Sequence, residues 1–148
     1  MSLLALSTWG CRFRVWLGEA LLLTEIVERA RETGLRALEI TGDTKYLYAF
    51  GCAQRALGRI ARAGGALAEA EDRLTGALRT FDAIQARYEG GRTHLDLAAV
   101  ARAQGNYGAI SFHLRDAHQV FRALRVPNYV ERTERFAQGL GMSLDPDR

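Results

Sequence analysis

Three histidines, two cysteines and a run of arginines are the side chains here whose types could do chemistry. A metal shared along one helix wants two histidines at i and i+4. His113 and His118 are five apart, and His94 lies two residues from Asp96, so on helices neither pair converges. Cys11 and Cys52 could come close on neighbouring helices, but nothing suggests that either is activated, and they read as neutral or buried thiols. Glu69, Glu71 and Asp72 fall where a helix would begin, and negative charge there favours the helix dipole. No phosphate-cradling Gly-x-x-x-x-Gly-Lys-Ser/Thr run occurs, and no nucleophile–base arrangement is legible. The expectation is therefore no catalysis, no metal and no cofactor.

Arginine is the remaining chemistry. Arg55, Arg59 and Arg62 are spaced i, i+4, i+7, which places them on one helix face. Guanidinium groups hold carboxylates bidentately and stack on aromatic rings. Only Lys45 among the 20 basic residues is a lysine. The net charge of +3 is too small to announce nucleic-acid binding. The competing reading of the arginines is an ordinary solvated face.

What must position these residues follows from composition. The 148 residues suit one domain, and 48% hydrophobic residues exclude disorder. Two cysteines cannot staple such a chain, and no stretch of about 18 residues is free of charge, so a membrane span is not expected. The apolar start lacks a preceding basic segment, which argues against a signal peptide and for a soluble, cytoplasmic protein. Ala, Leu, Arg and Glu dominate and proline is nearly absent, so the fold class is all-α.

Internal similarity sets the architecture. Residues 57–83 laid over 97–123 match at nine of 27 positions, among them Leu57/Leu97, Gly65/Gly105, Leu74/Leu114 and Phe81/Phe121. The same shift of 40 relates Leu17-Gly18 to Leu57-Gly58, and Arg92-Thr93 to Arg132-Thr133. Each unit reads as two helices. Leu67, Ala70, Leu74, Ala77, Leu78 and Phe81 form one amphipathic stripe, and Tyr107, Ile110, Leu114, Ala117 and Phe121 form its repeat. Gly58 inside a helix costs about 1 kcal/mol against alanine, which implies a packing reason. Pro127 restarts the chain into a short helix over 128–140, with Val130, Phe136, Ala137 and Leu140 on one side. The tail from Gly141 is expected to fray.

The residues Leu57-Gly58, Gly65, Ala70, Leu74 and Ala77 resemble the signature of the tetratricopeptide repeat (TPR), and Leu17-Gly18 with Ala30 and Ala37 resembles it again. So do Leu97, Gly105, Leu114 and Ala117. The chain departs from the pattern at Glu25, Gly34, Ala98 and Ile110, and its period exceeds the usual 34. The 40-residue form is similar to arrays at the C-terminal end of large bacterial ATP-binding signalling and transcription regulators. The resemblance implies a right-handed α-solenoid of three helix-turn-helix repeats, about 10–43, 45–86 and 88–126, with 128–140 as a capping helix in one domain over 1–148.

In that family the first helices of successive repeats line a concave groove. The resemblance assigns to it Arg12, Val15, Glu19, Leu22 and Leu23, then Cys52, Arg55, Arg59, Arg62 and Ala63, then Arg92, Leu95, Ala99, Arg102 and Ala103. The implied function is a non-catalytic protein–protein interaction module whose arginine-lined groove holds an acidic or C-terminal peptide. The alternative is a regulatory or sensor module of a bacterial signalling or transcription regulator. Trp9, Phe13 and Trp16, with Leu3, Leu4 and Leu6, make an apolar N-terminal end, a candidate surface for docking a second copy or a partner domain. Tyr46, Tyr48 and Phe50 open the second unit, with Tyr48 expected near the edge of the stack.

Overall fold

The structure is a computed structural model that describes residues 21, 24–26, 29 and 45–144. Most of the first repeat, and with it the apolar N-terminal end, lies outside the described residues. Within residues 45–144 five helices follow one another: α1 (Lys45–Ala63), α2 (Leu67–Ala83), α3 (Arg87–Gln104), α4 (Tyr107–Ala123) and α5 (Pro127–Gln138). No strand occurs among the described residues. Each helix packs on the next, and α1 also touches α3. None of these helices is long and apolar enough to cross a membrane.

The four turns between helices are copies of one another, 20 residues apart. Gly65, Gln85, Gly105 and Arg125 all adopt positive φ, between 56° and 81°. The amide that follows each reaches back five residues: Ala66 to Ala61, Ala86 to Phe81, Asn106 to Ala101 and Val126 to Phe121, at 2.8–3.0 Å. Those bonds satisfy carbonyls that the end of a helix leaves unpaired. Glycine adopts this conformation freely, whereas Gln85 and Arg125 hold it against steric cost. The Asn106 side chain caps α4 by accepting from the Ala109 amide at 3.1 Å.

Packing inside the two complete hairpins is also repeated at 40. Ala70, Leu74, Ala77 and Phe81 of α2, like Ile110, Leu114, Ala117 and Phe121 of α4, are fully buried or nearly so. Tyr107, expected on the α4 stripe, opens the helix and lies 66% exposed. A Cβ on Gly51 would meet the Phe81 ring at 2.7 Å, and one on Gly91 would meet the Phe121 ring at 2.9 Å. Tyr48 and Tyr88 stand edge-on to those same rings, at 6.1 and 6.2 Å between centroids. Gly58 has the packing reason its position implied: a Cβ would fall 2.6 Å from Leu74 Cγ.

Pro127 occupies the first turn of α5, whose Ala137 and Thr133 are buried against the α3–α4 hairpin while Val130 and Phe136 are partly covered. The chain does not fray at Gly141. The Met142 amide bonds the Ala137 carbonyl at 2.9 Å, and Met142 and Leu144 pack on the core.

Candidate functional site

Three helices, α1, α3 and α5, contribute side chains to one cavity. Arg59 of α1, Arg92, Leu95 and Asp96 of α3, and Tyr129 and Arg132 of α5 line one cavity of about 160 Å³. At about 30 Å³ per water, it has room for an acidic side-chain head and a few waters. Arg59 Nε lies 3.7 Å from Asp96 Oδ1. Arg132 stacks on Tyr129, its guanidinium 5.7 Å from the ring centre, and makes no ion pair with a carboxylate of the described residues. Burial raises the Asp96 pKa, and Arg59, Arg55, Arg62 and Arg132 pull it back. The lone carboxylate lining this cavity is therefore held among four guanidiniums.

Behind the cavity lies a buried polar knot. Glu89, at the start of α3, accepts from Tyr48 Oη at 3.0 Å, from Arg55 of α1, and from Arg92 at 3.4 Å. The Tyr48 pKa is raised because its hydroxyl donates to this carboxylate. Arg55 is only 8% exposed and stacks over Phe81, 5.8 Å from the ring centre. Its charge is committed inside the molecule, tying one hairpin to the next. Among the described residues no buried side-chain nitrogen or oxygen lacks a partner.

The groove residues assigned from sequence are thus divided. Arg59, Arg92 and Leu95 come together at the cavity, and the exposed Arg62 lies close enough to act on Asp96. Arg55 does not line the cavity but donates to Glu89, and its charge acts on Asp96. Arg102 is exposed further along α3 and stacks on Phe136 of α5 at 5.7 Å. Arg12, Glu19 and Leu22 lie outside the described residues. Asp96, Tyr129 and Arg132 were missed. The step of 40 from Arg92 to Arg132 was visible in the sequence, but the groove assignment stopped at Ala103 and did not follow it.

The histidines pair across helices rather than along them. His94 of α3 and His113 of α4 bring their Nδ1 atoms to 3.0 Å, and His94 Nε2 lies 3.8 Å from Asp116 Oδ2. Burial lowers both pKa values, and the neighbouring His94 helps take His113 down to about 4. His118 instead meets Glu134 of α5 at 3.0 Å, beside a cavity of about 380 Å³ that also involves Met142 and Leu144. Among the described residues no group of three or more His, Cys, Asp or Glu side chains is arranged around a metal position. Cys52 is a half-buried free thiol, and Cys11 lies outside the described residues. Comparison with protein-family models, with curated proteins and with solved structures finds no match to this chain.

Proposed function

We propose that this chain is a non-catalytic interaction module, a TPR-like right-handed solenoid that binds an acidic segment of a partner protein along the face shared by α1, α3 and α5. Support for the solenoid comes from the hairpin turns and ring-on-glycine contacts that recur at steps of 20 and 40 residues. The single observation that carries the binding reading is the cavity where Arg59, Arg92 and Arg132 converge from three helices, with Tyr129 beside them. A carboxylate entering it meets preorganised guanidiniums in a partly desolvated setting, where charge-assisted hydrogen bonds are strongest. Leu95 supplies an apolar floor.

The test is fluorescence anisotropy with a labelled peptide of alternating Glu and Leu. The expected result is saturable binding that weakens as salt is raised. Arg59→Glu with Arg132→Glu should reduce affinity at least tenfold, since each charge-assisted bond contributes about 1.5–3 kcal/mol. Asp96→Asn should tighten binding several-fold, because it removes the carboxylate that competes for the same guanidiniums. A flat titration with the wild-type chain, or equal affinity in the charge-reversed variant while helical CD is retained, would sink the reading.

A further inference from the structure

The cavity where α1, α3 and α5 meet carries more positive charge than a single carboxylate fills. Three guanidiniums, Arg59, Arg92 and Arg132, line it against one carboxylate, Asp96, an excess of two positive charges. Glu89 lies behind and takes its main bond from Arg55, so its charge is matched there. The N–H groups in the lining are also largely open. Arg59 Nε stands 3.7 Å from Asp96 Oδ1, too far for a hydrogen bond. Arg92 reaches Glu89 through one nitrogen at 3.4 Å, a long contact. Rings hold two of the three guanidiniums in place. Arg132 lies over Tyr129 and Arg92 over Tyr88, each 5.7 Å from the ring centre. Tyr129 stacks on the buried Phe121 at 4.7 Å, and Tyr88 stands edge-on to Tyr129 at 5.6 Å. A guanidinium fixed over a ring in advance has less freedom to lose when a ligand arrives.

We propose that this site selects a phosphate monoester, on a phosphorylated serine or threonine of the partner segment, over the carboxylates of aspartate and glutamate. The inference rests on the reading of this face as the binding surface and narrows what that surface takes. A phosphate monoester carries about −1.5 to −2 charges at pH 7 and three strong acceptor oxygens. Its charge matches the surplus in the lining, whereas one carboxylate leaves half of that surplus unanswered. Its three oxygens diverge from one centre, which suits donors arriving from three helices. A carboxylate offers two oxygens in one plane, and a single arginine fork fills them. The cavity of about 160 Å³ has room for the phosphate head. Arginine rather than lysine in all three places fits the same recognition, because its planar fork grips phosphate oxygens in pairs.

The experiment uses labelled peptides of alternating Leu and Ser in which the central residue is phosphoserine, glutamate or serine. Each is titrated with the full chain by fluorescence anisotropy at about pH 7.5, above the second phosphate pKa of about 6. The phosphoserine peptide should bind about tenfold more tightly than the glutamate peptide, and the serine peptide most weakly. Arg132→Gln removes one charge from the lining and should shrink the preference for phosphoserine over glutamate to about twofold, with helical CD retained. A merely structural role for Arg132 would weaken both peptides alike and leave the preference intact. Arg115→Gln, on α4, should change neither affinity nor preference. The alternating Glu and Leu peptide is the reference. If it binds and phosphoserine has no advantage over glutamate, this inference is overturned and the acidic-segment reading stands. If neither it nor the phosphoserine peptide binds, both fall. Displacement of the phosphoserine peptide by an equal concentration of single-stranded DNA nucleotides would show that singly charged diesters serve as well, and overturns the inference too.

Discussion

At the scale of single residues, Glu89 decides how two hairpins are joined. Its carboxylate receives Tyr48, Arg55 and Arg92, and both Arg55 and Glu89 are almost fully buried. Removing one partner of a buried ion pair strands the other charge, at a cost of about 3–5 kcal/mol. Glu89→Ala is expected to destabilise by that amount in urea unfolding. Replacing the pair together, Arg55→Met with Glu89→Leu, should recover most of the loss, because two desolvated charges are then exchanged for apolar contact. The histidine pair makes a prediction about pH. Burial holds the folded His113 pKa near 4, below its ordinary value of about 6.5, with His94 adding to the effect and Asp116 and Glu71 opposing it. The unfolded chain therefore binds more protons between those two values, so stability is complete above about pH 6.5 and falls as pH drops toward 4. Burial shifts His94, faced by Asp116 and Asp82, in the same direction. Urea midpoints should decline over this window more steeply for wild type than for His94→Gln/His113→Arg, which installs the Gln54 and Arg73 pair found forty residues earlier.

At the scale of elements, glycine and its absence have opposite consequences. Gly58→Ala adds helix propensity of about 1 kcal/mol but drives a methyl to 2.6 Å from Leu74 Cγ. Overpacking of that kind costs about 1–3 kcal/mol, so a net loss of stability is expected in thermal melts. Arg125→Gly should act the other way. Its φ of 56° is left-handed, and glycine there removes strain of about 1 kcal/mol, less the entropy added to the unfolded chain. The melting temperature should rise, whereas Gly105→Ala, at φ 71°, should lower it.

At the scale of the whole molecule, α5 has two roles. It covers the α3–α4 hairpin through Ala137, Tyr129 and Val130, and it carries Tyr129 and Arg132 to the arginine face. Tyr129 stacks on Phe121 at 4.7 Å between ring centres. A chain ending at Val126 should therefore bind an apolar dye, melt at lower temperature and lose affinity for the acidic peptide. Retention of all three properties of the full chain would show that α5 is dispensable.

Much of this was legible from the order of residues. Helix propensity, the apolar spacing of three and four, and the shift of 40 locate the helices and their buried faces, because these depend on local periodicity. Repetition even carries the match of Arg92 with Arg132. The pairings that cross between helices are a different matter. Arg55 looked like a groove residue by spacing but turned inward to Glu89, and His94 found His113, 19 residues away, rather than a neighbour on its own helix. Spacing along a chain fixes which side of a helix a residue occupies. Which partner it meets there depends on how the helices rotate and stack, and that was decided only when the whole chain packed.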